Sequence, residues 1–417
     1  MTYDEAMAWL YSTQNVGIKL GLENISRLLH AVGVDTAPSP ATGPVIFHVA
    51  GTNGKGSVCA MLDAVCRAEG LRTGLFTSPH LVTFRERIRL NGVNISEKDT
   101  AAGLTRIRAA VQSWEPHPTF FDITTALALA WFQEQKAAVI VLETGLGGRL
   151  DSTNAITPAV AVLTSLSFDH SQYLGDTIEE IATEKAGILK PGVPVVSVLQ
   201  PPKATQVIEE TAVRVGSPLG WVSEPVSLEV ALSGSHQKLN AALALAALQT
   251  TRLPISQKAI QVGLKNVVWP GRFQRIEGKP SGIELVLDGA HNEAAALRLV
   301  QTWREVYGAE RPVVLLGVLR DKDVVSICRG LAPLAGAFVV TPVHSVRTCS
   351  AQELAQAVAE SAPGTPYLVV GSASEGIACA QAEAKKRGSR VLITGSLFLV
   401  GETLAQLQGS KPEASAQ

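Results

Sequence analysis

A glycine-rich stretch with one lysine and one hydroxyl, Gly51-Thr-Asn-Gly-Lys-Gly-Ser57, is well suited to holding an anion. Glycines let backbone N–H groups approach phosphate oxygens, and a helix start adds the positive end of a dipole. Gly51, Thr52, Asn53, Gly54 and Gly56 would form the cradle. Lys55 can reach a terminal phosphate, and Ser57 can offer its oxygen to Mg2+. The spacing departs from G-x-x-x-x-G-K-[ST]. That pattern needs glycine at 49 and a hydroxyl at 56, where the chain has Val49 and Gly56. An ordinary turn between a strand and a helix is the bland alternative.

Other candidate residues follow from the rule that ligands in open α/β sheets sit beyond the carboxyl ends of strands. Ser78, Glu143 and His170 each fall at or just past the end of an expected strand. A hydroxyl, a carboxylate and an imidazole beside a triphosphate can complete the shell of Mg2+, which prefers oxygen. Histidine is the less common ligand, and His170 reads equally as a capping or core-edge residue. Glu143 ends an apolar strand, where a carboxylate is costly to bury without a cation or a hydrogen-bond partner. Lys185 alone reads as a solvated helix lysine. In Leu287-Asp-Gly-Ala-His-Asn292, Asp288 could orient His291 or bind a cation, and Asn292 could cap the next helix. Arg272 could reach a phosphate when two halves close, or face water. Thr394-Gly-Ser396 ends the last strand at the same kind of edge. Thr144-Gly-Leu-Gly-Gly-Arg149 fails as a dinucleotide fingerprint, because its third glycine would fall on Leu150.

The elements that must carry these groups are legible in the periodicity. The run Val45–Ala50 reads as a strand entering the glycine-rich turn. After it, Val58, Met61, Leu62, Val65 and Cys66 repeat as one helical stripe, with Gly70 as its stop. Residues 2–34 read as helices, with Leu20, Leu22, Ile25, Leu28 and Leu29 as an apolar face, and 38–43 as a connector. Gly74–Thr77, Ala137–Glu143, Ala159–Ser165 and Pro194–Val198 read as strands, the second with the look of a buried parallel one. Arg85–Arg89 reads as a polar segment. Helices are expected around 124–135, after Asp176 and Glu179 as a capping pair, and near 239–250 and 255–265. Trp269-Pro-Gly-Arg272 breaks the pattern as a hinge. Beyond it strands at 284–287, 313–317, 337–341, 367–370 and 391–394 alternate with helices, which predicts a second layered parallel sheet. The polar residues 409–417 are expected to be disordered.

At 417 residues the chain has room for two or three domains. Apolar residues at 46% and charged ones at 18% suit large cores rather than disorder. A formal net charge of −1 removes any general electrostatic case for nucleic-acid binding. Five cysteines, at 59, 66, 328, 349 and 379, form no C-x-x-C and no metal spacing, which fits reduced thiols. No leader pattern and no spanning apolar run is visible, so a cytoplasmic protein without membrane contact is expected.

Taken in order, these motifs resemble the folylpolyglutamate synthase/dihydrofolate synthase family of the Mur ligase superfamily along nearly the full length. The matches are Gly51–Ser57, Thr77-Ser-Pro-His-Leu81, Glu143-Thr-Gly-Leu-Gly-Gly-Arg-Leu-Asp-Ser-Thr-Asn154 and Asp169-His170. Glu184-Lys-Ala-Gly-Ile188, Pro270-Gly-Arg-Phe-Gln274, Asp288–Asn292, Asp321-Lys-Asp323 and Gly395-Ser-Leu follow, and Leu20-Gly-Leu-Glu23 matches near the start. The resemblance implies a P-loop-type, mostly parallel ATP-binding domain over 1–269 and a smaller Rossmann-like glutamate ligase domain over 270–417. It implies ATP and Mg2+, with Ser57, Ser78, Glu143 and His170 at the metal and Lys185 as a carbamylated lysine. Lys55, Lys185, Asp288 and His291 would be catalytic, and Asn240, Arg272 and Asp288 would contact the nucleotide. Phe121, Asp122, Leu150 and Asp151 would lie at the pterin, and Ser396 on the glutamate side. Where the family often has proline after the His-Asn pair, this chain has Glu293. The implied activity joins L-glutamate to dihydropteroate or a reduced folate through an acyl phosphate, in a monomer. A Mur-type peptidoglycan ligase and a nucleotide-driven switch without ligase chemistry are the alternatives.

Overall fold

The computed structural model describes residues 1–17, 21–39, 41–278 and 281–413. Leu20 of the expected first apolar face, Pro40 of the connector and residues 414–417 of the tail lie outside the described residues.

Two sheets organise the described residues. The first contains β1 (Val45–Ala50), β2 (Thr73–Phe76), β3 (Ile88–Leu90), β4 (Val93–Asn94), β5 (Val139–Glu143), β6 (Val160–Leu163), β7 (Val195–Val198) and β8 (Leu219–Val222). Their spatial order is β4-β3-β2-β5-β1-β6-β7-β8. From β2 to β8 all neighbours are parallel, while β3 and β4 add an antiparallel hairpin at one edge. The second sheet contains β9 (Gln274–Gly278), β10 (Ile283–Leu287), β11 (Val313–Leu316), β12 (Ala337–Val340), β13 (Tyr367–Val369) and β14 (Val391–Thr394). It is ordered β13-β12-β11-β14-β10-β9, and all its pairs are parallel except β9–β10. This is the expected pair of α/β layers.

Burial explains the first sheet. All six residues of β1 are buried, as an apolar strand covered by helices on both faces must be. On one face the helix Lys55–Ala68 lays Val58, Met61, Leu62, Val65 and Cys66, each 0% exposed, against Phe47, Val49 and Val141. The helix Gln257–Lys265 packs against it, and Ser235–Gln249 lies beside it against β6, β7 and β8. On the other face, Tyr3–Ser12, Glu23–Ala31, Glu97–Val111 and Phe120–Glu134 share a core with Ile46, Phe76 and Leu142. Ile25, Leu28 and Leu29 are buried as expected.

Register carries the functional consequence. Val49 pairs with Glu143, Ala50 with Leu163, and Phe76 with Leu142. Four parallel strands therefore end together, and the turns after them leave the sheet along one edge.

Several boundaries differ from expectation. The helix expected near 124 starts at Phe120, because Thr119 and Asp122 form a capping box one turn earlier. Thr177 and Glu180, not Asp176 and Glu179, cap the helix Ile178–Ala186, since Thr177 accepts the Glu180 N–H. The polar 85–89 segment enters a short 3-10 turn and then the edge strand β3. The tail does not leave the molecule at 409: the Glu413 carboxylate accepts from Thr83 Oγ1 at 3.1 Å and Phe84 N at 2.7 Å. All five cysteines are free thiols. Among the described residues no helix is long and apolar enough to cross a membrane.

Candidate active site

The phosphate loop begins where β1 ends. Gly51 has φ +148, and a Cβ there would stand 1.8 Å from Thr164 Oγ1, so the position tolerates no side chain. Gly54 (φ +94) caps the helix Lys55–Ala68 with no side-chain acceptor. The first-turn N–H groups are thereby left for an anion. Lys55 Nζ folds back onto the carbonyls of Gly51 (3.0 Å) and Thr52 (3.3 Å). Ser57 Oγ is buried without a hydrogen-bond partner among the described residues.

Glu143, at the end of β5, is 5% exposed and accepts the Ser78 N–H at 3.1 Å. Burial raises its pKa, against the pull of Lys55, the Ser78 N–H, Arg272 and Arg87. An orphaned hydroxyl and an under-compensated carboxylate beside a phosphate cradle fit a divalent cation. Among the described residues no three His, Cys, Asp or Glu side chains gather as a metal cluster. His170, in the left-handed region at φ +53, is held neutral by burial, which lowers its pKa to about 4.

Lys185 is not the solvated lysine its bare sequence context suggests. It is 4% exposed and donates to Gly51 O at 2.9 Å, so that carbonyl receives two ammonium groups. Burial, then the Lys55 charge, pulls its pKa to about 7.

One cleft of about 210 Å³ gathers Gly51–Ser57, Ser78, Glu143, His170, Lys185 and Asn240 from the first lobe with Arg272, Asp288 and His291 from the second. A neighbouring cavity of about 310 Å³ is lined by Phe121, Leu150, Asp151, Arg87 and Tyr173. Ser78, Gly145, Leu146 and His170 border both. Asp321 and Arg347 reach the second cavity from the other lobe.

Not every expected residue faces these spaces. Asp122 accepts from Thr119 N, Thr119 Oγ1 and Ser152 Oγ, so both its oxygens tie a helix start to the 152 turn. Ser396 is 2% exposed and caps the helix Leu397–Gln408 by accepting the Leu399 N–H. Asp288 lines the cleft, yet its oxygens accept from Phe273 N and Ala290 N, both at 2.9 Å. It ties Phe273, just past the 269–272 break, to the strand-end turn and does not orient His291. That task falls to Gly289 O, 2.7 Å from His291 Nδ1, and to Asp169, 3.4 Å from Nε2. Asn292 does cap its helix, and it also exchanges hydrogen bonds with Asn53 across the lobes.

Asp169 and Lys322 lie within the matched motifs Asp169-His170 and Asp321-Lys-Asp323, and the structure brings them together. Lys322 Nζ lies 2.5 Å from Asp169 Oδ1, and both side chains are nearly buried. Burial alone would raise the Asp169 carboxyl, but His291, Lys322 and His170 hold it far below the usual carboxylate range. Arg347 carried no signal, since it sits in an irregular loop between β12 and the next helix.

A phosphate cradle on one α/β lobe, closed by a second α/β lobe across a single cleft, defines a class. Residues 49–215 match the Mur ligase middle domain, and 271–397 match the Mur ligase glutamate ligase domain. The dihydrofolate synthase/folylpolyglutamate synthase of Bacillus subtilis is 33% identical over 97% of this chain and 99% of its own length. The structure of Escherichia coli FolC in complex with DHPP and ADP superposes with a TM-score of 0.87 at 30% identity. The match covers 97% of this chain and 98% of that one. The Yersinia pestis bifunctional folylpolyglutamate synthase/dihydrofolate synthase, complexed with AMPPNP and Mn ion, gives 0.85 at 31% identity, covering 98% of both chains. The chain belongs to the dihydrofolate synthase/folylpolyglutamate synthase family. Membership separates it from a peptidoglycan ligase and from a switch without ligase chemistry.

Proposed function

We propose that this chain is an ATP-dependent ligase that joins L-glutamate to the carboxylate of dihydropteroate or a reduced folate. The observation that carries the reading is the shared cleft: a phosphate loop with a free Ser57 hydroxyl faces His291 of the other lobe, and a second cavity opens beside it. The ATP-binding part is taken as 1–269 and the glutamate ligase part as 270–417.

In this reading the pterin lies in the cavity of Phe121, Leu150 and Asp151, with its carboxylate directed past Ser78 and Gly145 toward the phosphates. That carboxylate attacks the γ-phosphate of ATP, giving an acyl phosphate and ADP. The amine of L-glutamate then attacks the acyl carbon, and the tetrahedral intermediate releases phosphate. Phosphoryl transfer asks mainly for positioning and charge neutralisation. Lys55 and the loop amides face the developing charge, Asn240 and Arg272 hold the nucleotide, and Asp288 keeps the hinge in place. Ser57, Ser78, Glu143 and His170 would hold Mg2+, which when bound would supply charge stabilisation on the phosphate oxygens. A lysine takes up CO2 only as the neutral amine, and the lowered pKa of Lys185 favours its carbamylation. Lobe closure excludes water that would hydrolyse the acyl phosphate. The enzyme is read as a cytoplasmic monomer.

The test is ADP release by the purified protein with ATP, Mg2+ and L-glutamate, with dihydropteroate and a reduced folate compared in parallel. Lys55→Ala should abolish turnover while leaving the circular-dichroism spectrum unchanged. Near-normal ADP release by that variant would overturn the phosphate-loop assignment.

A further inference from the structure

A buried chain of hydrogen bonds runs from the central strand to the wall between the two cavities. His48 lies in the middle of β1 and is 1% exposed. Its Nε2 is 2.7 Å from Thr153 Oγ1, and that hydroxyl is 2.5 Å from Asp151 Oδ1. Asp151 Oδ1 also accepts the Thr153 N–H at 3.0 Å. Its other oxygen accepts the N–H groups of Gly145 and Leu146, each at 2.9 Å.

The direction of this chain follows from proton counting. Burial raises the Asp151 carboxyl, but three backbone N–H groups and the Thr153 hydroxyl, all aimed at its two oxygens, oppose that and favour the ionised form, which can only accept. Thr153 has one hydroxyl proton, so that proton goes to Asp151. Thr153 must then accept from His48, which therefore carries its proton on Nε2. The remaining ring nitrogen, Nδ1, is buried without a partner among the described residues. Burial, with Lys190 adding to it, lowers the His48 pKa to about 3, so the ring stays neutral. An orphaned Nδ1 is costly, and an apolar residue on this strand would avoid the cost. The one hydrogen bond the ring makes among the described residues is the one its Nε2–H gives to Thr153.

We propose that His48 and Thr153 are positioning residues for the substrate cavity. Through Asp151 they hold the backbone of Gly145 and Leu146, which borders both cavities and sets the substrate carboxylate against the phosphate site. The inference rests on the ligase reading above and adds to it two residues that touch neither cavity. Their effect is transmitted through the carboxylate of Asp151.

The experiment uses Thr153→Val, which keeps the shape and removes the hydroxyl, and Thr153→Ser, which restores it. In the ADP-release assay, Thr153→Val should raise the KM for the pterin substrate about tenfold or more while the KM for ATP stays within about twofold. Thr153→Ser should return the pterin KM to near the wild-type value. A second pair covers poor folding of the valine variant. His48→Gln presents an amide N–H at similar reach and should stay close to wild type, whereas His48→Leu should behave like Thr153→Val. In 15N-detected NMR the His48 ring should show the Nε2–H tautomer and no titration down to pH 5.

An unchanged pterin KM in both Thr153→Val and His48→Leu overturns the proposal, as does a KM for ATP that rises in step. Loss of melting temperature with both KM values intact would assign the network to stability alone. If the wild-type chain releases no ADP in response to any pterin substrate, the ligase reading itself fails. The wild-type arm identifies that outcome before any variant is compared.

Discussion

Two lysine Nζ atoms converge on the carbonyl of Gly51, and the buried one gives up its proton more readily. Lys185 has an ordinary pKa of 10.5 and is held near 7 by burial and the Lys55 charge. Between those values an unfolded chain carries a proton on Lys185 that the folded chain lacks. Stability must therefore rise with pH across this window, and fall as pH drops from 10.5 toward 7. Lys185→Met removes that proton difference. The wild-type chain should gain about 1.4 kcal/mol of stability per pH unit relative to the variant. Urea midpoints of both chains at pH 7.5 and pH 9.5 measure it, and parallel curves would mean the lysine is charged when folded. At this scale the sequence is informative about residue type and poor on environment. Ser78, Glu143 and His170 were legible because strand ends are legible, and Ser57 because the glycine-rich loop is. Burial of Lys185 and the structural ties of Asp122 and Ser396 were not, because they depend on what packs over those positions.

Elements behave as the periodicity predicts wherever both faces of a strand are covered. The weak predictions fall at edges. The strand β8, Leu219–Val222, is short and only partly buried, and β9 alternates polar residues with Ile276, so it carries no apolar run. The short antiparallel hairpin of β3 and β4 is similarly masked by Arg87, Arg89 and Asn91. Close contact between helices is equally invisible from one chain segment. Gly263, in the helix Gln257–Lys265, faces the backbone of Val65, where an added Cβ would stand 2.6 Å from Val65 Cα. Gly263→Ala should therefore force the two helices apart despite alanine's better helix propensity. The expected loss is about 1–3 kcal/mol, read as a lower midpoint in thermal unfolding. A midpoint that rises would show that propensity wins over the contact.

Across the whole molecule, polar bridges hold the lobes over the cleft. Asp169 meets Lys322, His291 and Asn292, while Asn53 pairs with Asn292 and Ser235 with Glu305. Glu413 returns from beyond the last helix to the Thr83 turn. The Lys322–Asp169 pair is nearly buried, with side-chain exposures of 7% and 6%, so removing one partner is costly. Lys322→Met should cost about 3–5 kcal/mol. It should also enlarge the radius of gyration in solution scattering as the lobes part. A compact variant with an unchanged melting curve would show that the other bridges suffice.

The amino-acid order alone determined the two α/β layers, the phosphate loop and the strand ends that line the cleft. Each depends on local periodicity and on the spacing of glycines within a few residues. Tertiary structure decided which of those groups meet. The neutral tendency of Lys185, the bond between Asp169 and Lys322 and the relay from His48 through Thr153 to Asp151 depend on contacts between residues 105 to 153 positions apart. Their energies come from shared burial and charge, which no single segment carries by itself.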